Sequence, residues 1–125
     1  IVVPHINIIK KNNYNIVKIL VDNKKNIKWM SRSDFPHFFK SNNIMIKKHL
    51  SIIVFKLNAL LKYSKLKTSY FEKIESIELL RAIENKMRLG SNKINSDSFS
   101  VDVIDDYRRA KIFFKKDKIK KKYKN

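Results

Sequence analysis

The chain has 125 residues, with 29 Lys plus Arg against 11 Asp plus Glu, a formal net charge of +18 and 43% hydrophobic residues. That length and apolar content suit one small core and exclude a wholly disordered basic tail, while so large a positive charge favours work against a polyanion. The absence of Cys excludes disulfides, thiolate nucleophiles and Cys-based metal centres.

The first thirty residues read as strands. Ile6 to Ile9 is apolar, Lys10 to Asn13 is a polar turn, and Ile16 to Val21 is β-branched and nearly unbroken. A second turn, Asp22 to Asn26, leads into Ile27 to Met30, which together predict a three-stranded antiparallel meander. Neither turn holds a glycine, so loops longer than the two-residue hairpin type are expected.

Ser33 or Asp34, followed by Pro36, marks a helix start, and Ser41-Asn42-Asn43 ends that helix within two turns. Ile46, Leu50, Ile53, Val54, Leu57, Leu60, Leu61 and Ser64 then recur at helical spacing, predicting an amphipathic helix that anchors the core against the meander. A third helix is expected from a Ser69/Glu72 capping box to Leu89-Gly90, where glycine suits a left-handed cap. Its apolar residues wander around the helix, which predicts contacts on more than one side. After a polar stretch at 91–100, a fourth helix carries Asp102, Asp105 and Asp106 early and Arg108, Arg109 and Lys111 later, the order that the helix dipole favours. The expected fold is therefore α+β: a small N-terminal antiparallel β-meander packed on three to four helices, with a basic C-terminal helical extension. Residues 1–107 form one domain in this reading, and 108–125 the extension.

Charge is unevenly placed. Residues 1–69 hold 14 basic and 2 acidic side chains, 70–90 hold 4 of each, 91–107 hold 1 and 4, and 108–125 hold 10 and 1. The composition also favours residues with A/T-rich codons: 24 Lys against 5 Arg and 18 Ile. The preference for lysine thus reports codon bias in part, whereas the sign of the charge asks for a physical reason.

Two basic ends predict backbone contacts to structured RNA, because each cation laid on a phosphate releases counterions. The expected RNA-binding residues are Lys10, Lys11, Lys24, Lys25, Lys28, Arg32, Lys47 and Lys48 in the first half. In the tail they are Arg108, Arg109, Lys115, Lys116, Lys118, Lys120, Lys121, Lys122 and Lys124. Trp29 and Tyr14 sit beside the first group as candidate stacking surfaces, although a tryptophan more often completes a core.

Catalysis is not expected. His5, His37 and His49 fall in different predicted elements without metal-ligand spacing, and three aspartates opening a helix are explained by its dipole. The single glycine, Gly90, excludes a phosphate-cradling loop and a nucleophile elbow. No cofactor and no metal are expected. Leu50 to Phe55 is too short a run to span a bilayer, so no membrane partner is expected either. Ile1 is no initiator, which suits a processed chain or a fragment. The resulting expectation is an rRNA-binding structural protein of a ribosome, mitochondrial rather than cytosolic, with protein neighbours against residues 70–90. Two alternatives are a DNA-binding protein using 34–41 and 50–64 as a helix-turn-helix, and a non-catalytic subunit of a large complex.

Overall fold

The computed structural model describes residues 1–8, 12–36, 39, 45–96 and 98–117. They fall into two compact units, Ile1–Asn95 and Ser96–Asn125. The first holds β1 (Val2–Ile8), β2 (Lys18–Val21), β3 (Ile27–Ser31), β4 (Ile46–His49), α1 (Leu57–Ser64), α2 (Tyr70–Glu75), α3 (Leu80–Glu84) and β5 (Gly90–Lys93). The second holds α4 (Ile104–Lys116).

The expected meander gives way to a mixed five-stranded sheet of order β3-β2-β4-β1-β5. The apolar runs at 16–21 and 27–30 do contain an antiparallel pair, with Ile19 opposite Met30. β1, however, does not touch β2. β4 lies between them, pairing His5 with His49 and Lys18 with Lys48, and β5 joins the far side of β1 in parallel.

The error traces to one segment. Ile46–His49, expected as the first turn of the core helix, is the central strand, and Val54 continues in extended form through reciprocal 2.9 Å backbone bonds with Val2. The β-branched run Ile52-Ile53-Val54 favours extended backbone, and sheet partners outweigh the 3.6-residue spacing there. Only Leu57–Ser64 is helical, and it buries no residue completely.

The expected helix from 69 to 90 is also broken. α2 begins after Ser69, whose N–H donates to Glu72 Oε2 at 3.0 Å, and ends at Ser76 in the left-handed region (φ 51°, ψ 47°). Gly90 caps no helix. It opens β5 without a positive φ. The apolar residues that wandered around a continuous helix instead enter one core: Ile77, Leu79, Leu80, Ala82 and Leu89 pack with Val3, Ile19, Ile27 and Met30. Most of the apolar residues expected to face a neighbour, from Ile77 to Leu89, are thus inside this protein, while Tyr70 and Ile74 stay exposed. Trp29 joins the same packing, edge-on to Phe71 at 4.8 Å.

The two edge strands meet at one corner. Asn26 bridges Gly90, Ile27 N–H donates to Leu89 O and Ser91 N–H to Lys25 O, both at 2.8 Å. In a flat five-stranded ladder the edges would stand roughly 19 Å apart, so the sheet is rolled.

The helix expected over 34–41 is not seen at Asp34, Phe35, Pro36 or Phe39, and its remaining residues lie outside the described ones. With no helix over 50–56, the helix-turn-helix alternative has no framework. In the second unit the basic helix is engaged with its own surroundings. Arg108 pairs with Asp105 at 2.9 Å, and Arg109 lies over the Phe99 ring at 4.4 Å. The basic extension is thus helical as far as Lys116, and the rest of it lies outside the described residues.

Candidate active site

Antiparallel pairing brings the start of β2 level with the ends of β3 and β4, so Lys18, Ser31 and Lys48 share one end of the sheet. Lys18 is 1% exposed. Its ammonium donates to Asn13 O at 2.7 Å and to Arg32 O, and pairs with Asp34 Oδ1 at 3.2 Å. Three acceptors match the three N–H bonds of an ammonium, which is how a buried lysine keeps its charge. Asp34 Oδ2 in turn accepts from Asn12 N–H at 2.7 Å. Lys18 therefore ties the segment before β2 to the segment after β3.

Arg32 clamps the same corner. Its Nε donates to Glu75 O at 2.8 Å, and its two terminal nitrogens to Tyr14 O (3.0 Å) and Ser76 O (3.3 Å). The cation thus lies against carbonyls at the C-terminal end of α2, where the helix dipole favours it. The Glu75 carboxylate takes Ser31 Oγ at 2.6 Å and Arg32 N–H at 2.9 Å. Two of the five guanidinium N–H bonds stay available to a ligand. Tyr14, 67% exposed, stands beside them with the Lys18 ammonium 5.8 Å from its ring centre.

His49 completes this end of the sheet. Its backbone N–H donates to Val17 O at 2.9 Å, and its Nε2 is buried without a hydrogen-bond partner among the described residues. Burial holds the imidazole below its usual pKa, with Glu78 opposing the shift. A neutral ring with an unsatisfied nitrogen can accept or donate one hydrogen bond to a substrate hydroxyl. Behind it, Tyr63 Oη donates to Glu78 O at 2.8 Å, and Arg81 pairs with Glu72 and donates to Leu66 O, fixing α2 and α3. Hydrogen bonding from Arg81 holds the Glu72 carboxyl low.

The residues expected to bind RNA scatter. Of the first group, Arg32 and Lys48 reach the end of the sheet just described. Lys24, Lys25 and Lys28 sit at the opposite end, on the β2–β3 hairpin, where Lys28 pairs with Asp22 at 3.3 Å. Lys47 is paired with Ile19, and so faces away from Lys18 and Lys48. Arg108, Arg109, Lys115 and Lys116 belong to α4. Lys10, Lys11, Lys118, Lys120, Lys121, Lys122 and Lys124 lie outside the described residues.

Lys18, Ser31, His49 and Glu75 were missed. Only Lys18 left a signal, as the one charged residue inside the apolar run from Ile16 to Val21. His5 and His49, expected in unrelated elements, are direct partners across β1 and β4.

A profile of the cytidylyltransferase family matches residues 8–94. The 3-deoxy-manno-octulosonate cytidylyltransferase of Trichlorobacter lovleyi is 32% identical over 108 residues, which is 78% of this chain and 43% of that protein. The enzyme of the same name from Rickettsia prowazekii is 36% identical over 100 residues, 80% of this chain and 39% of that protein. Among solved structures, a CMP:2-keto-3-deoxy-manno-octonic acid synthetase complexed with CTP superposes with a TM-score of 0.81 at 20% identity, covering 92% of this chain and 48% of its own. The chain thus spans less than half the length of the relatives it matches, and the superposition shows a shared fold.

These matches overturn the reading built on charge. The fold is the mixed sheet of that synthetase and not a meander on helices with a basic tail. An rRNA-binding ribosomal role, rRNA and assembly neighbours as partners, and a ribosomal or mitochondrial location all fall with it, since the relatives are bacterial enzymes. The expectation of a non-enzyme falls too. The physical reason is visible at the cations themselves: Lys18 and Arg81 are held by contacts inside the fold and Arg32 in large part, and codon bias accounts for part of the lysine excess. The matched segment takes in more than half of the sequence, and the chain belongs to the cytidylyltransferase family.

Proposed function

We propose that this chain serves the transfer of a cytidylyl group from CTP to a 2-keto sugar acid of the 3-deoxy-manno-octulosonate type, and that the end of the sheet around Arg32 and His49 receives the sugar acid. The observation that carries this reading is the family match over residues 8–94, together with relatives whose names specify that reaction. In such a transfer a sugar hydroxyl oxygen bonds to the α-phosphorus of CTP, the bond from that phosphorus to the bridging oxygen breaks, and pyrophosphate leaves. The hydroxyl proton passes to a base or to solvent.

The corner suits the acceptor side of that chemistry. A carboxylate is matched by the two unused N–H bonds of Arg32. His49, neutral near pH 7, offers a buried nitrogen to a sugar hydroxyl. Glu75, Lys18 and Asp34 hold the corner and are positioning residues.

The experiment is a titration of the purified chain with 3-deoxy-manno-octulosonate, followed through the His49 ring and Arg32 Nε resonances. Saturable shifts in both are expected, and Arg32→Lys weakens binding about tenfold by losing the planar fork. A sugar of equal size without a carboxylate producing the same shifts would refute the assignment.

A further inference from the structure

Between the β2–β3 turn and strands β1, β4 and β5 lies a cavity of about 440 Å³ lined by His5, Asp22, Lys25, Lys47, Ser91 and Lys93, among others. We infer that this cavity binds a compact oxyanion of the phosphate class, through a lining that shares no residue with the sugar-acid corner and independently of the functional reading above.

Three lysines reach it from three different elements. Lys25 comes from the β2–β3 turn, Lys47 from β4 and Lys93 from β5. Closure of the roll through Asn26 and Gly90 is what carries the turn to β5. Among the described residues, none of the three ammonium groups has an ion pair or hydrogen bond. Lysines on a merely solvated face spread apart, whereas convergence on one concavity focuses positive potential there.

The acid in the lining does not neutralise them. Asp22 already accepts from the backbone of Lys24 (2.9 Å) and Asn26 (2.8 Å) and from the Asn26 amide, and it pairs with Lys28. These contacts hold its carboxyl at about 2.

His5 supplies a directional group. It is 5% exposed, with Nδ1 2.6 Å from Ser91 Oγ, and that hydroxyl donates to Val3 O at 2.6 Å. A carbonyl only accepts, so the hydroxyl proton points to Val3 and Nδ1 must donate to Ser91. The neutral ring therefore carries its lone pair on Nε2. Burial first, then Lys47 and Lys93, keep it from protonating. The charged and titratable groups around it are Lys47 and His49 on β4, Lys93 on β5, and Lys25 and Asp22 on the turn. An oxyanion among the lysines reverses their effect on the ring, so His5 takes up a proton at Nε2 and donates it to the anion.

The test is a titration of the full 125-residue chain with inorganic phosphate and, separately, pyrophosphate at constant ionic strength, reading the His5 ring nitrogens by NMR. The expected result is a saturable change with Nε2 moving to its protonated range. Lys47→Gln and Lys93→Gln should each weaken it about tenfold, the loss of one charge-assisted contact. Both lysines are at least partly exposed, and Lys62→Gln on the exposed face of α1 serves as the control that changes nothing. A response to both anions that never saturates would overturn the proposal. So would equal weakening by Lys62→Gln, or no response of the His5 ring to either anion.

Discussion

Ser31 Oγ donates to Glu75 Oε1 at 2.6 Å, joining the end of β3 to the end of α2 across 44 positions of sequence. The other oxygen of that carboxylate takes the next amide, Arg32 N–H, at 2.9 Å. One side chain thus fixes the strand end from which the candidate sugar-acid corner is built.

Glu75→Ala should destabilise the chain by about 2 kcal/mol, because it leaves a buried hydroxyl and an amide without their charged acceptor. Glu75→Gln keeps one acceptor oxygen and should lose about half as much. Chemical denaturation of the two variants measures the difference, and equal stability of Ala and wild type would remove Glu75 from the clamp.

Lys18→Met is expected to cost about 3 kcal/mol despite its similar volume, since it strips Asp34 and two backbone carbonyls of their shared donor. The loss should be smaller in Lys18→Met combined with Asp34→Asn than the single changes sum to. Strict additivity in that double-mutant cycle would show that the pair is not coupled.

Lys25 holds a positive φ of 62° in the β2–β3 turn, a region that costs an L side chain. Lys25→Gly should raise stability by about 1 kcal/mol, visible as a higher midpoint in thermal unfolding. A lower midpoint would mean that the turn is held by the lysine side chain.

Two groups set opposite ends of the pH profile. His49 is depressed below its ordinary value of 6.5 by burial. The unfolded chain therefore binds more protons in the window just below 6.5, and stability present above it falls as pH drops into that window. His5 is lowered in the same direction, so His49→Gln should flatten this part of the profile only by its own share. Asp22, lowered to about 2 chiefly by the Asn26 backbone hydrogen bond, contributes stability above 3.8 that is lost as pH falls through about 2. A carboxyl titration of Asp22 centred near 3.8 would contradict the Asx contacts in the turn.

Local chemistry was legible where neighbours in sequence decide the structure. The polar stretch Asp22 to Asn26 does turn between β2 and β3, and the Ser69/Glu72 pair does start α2. What misled was any feature decided by distant partners. Ile46 stands at helical spacing with Leu50, Ile53 and Leu57, yet β1 and β2 on either side make Ile46–His49 a strand. Ile77 to Leu80 looked like a surface for another protein because nothing nearby says that Val3 and Met30 cover it. The candidate site is the extreme case, since Lys18, Ser31, His49 and Glu75 lie on four elements and make no motif. The overall charge pointed the wrong way for the same reason: it counts cations without showing which of them carbonyls and carboxylates inside the fold already hold.

The place of β1 at the inside of the sheet bears on how the chain assembles. Made from the N-terminal end, β1 emerges first, but its antiparallel partner arrives with Ile46 to His49 and its parallel partner only with Gly90 to Lys93. During that interval the β2–β3 hairpin can form alone, while Val2 to Ile8 waits for both of these partners. Such a strand is an open template for a second chain, so yield on refolding should fall steeply with protein concentration, and a helper that shields this segment should restore it.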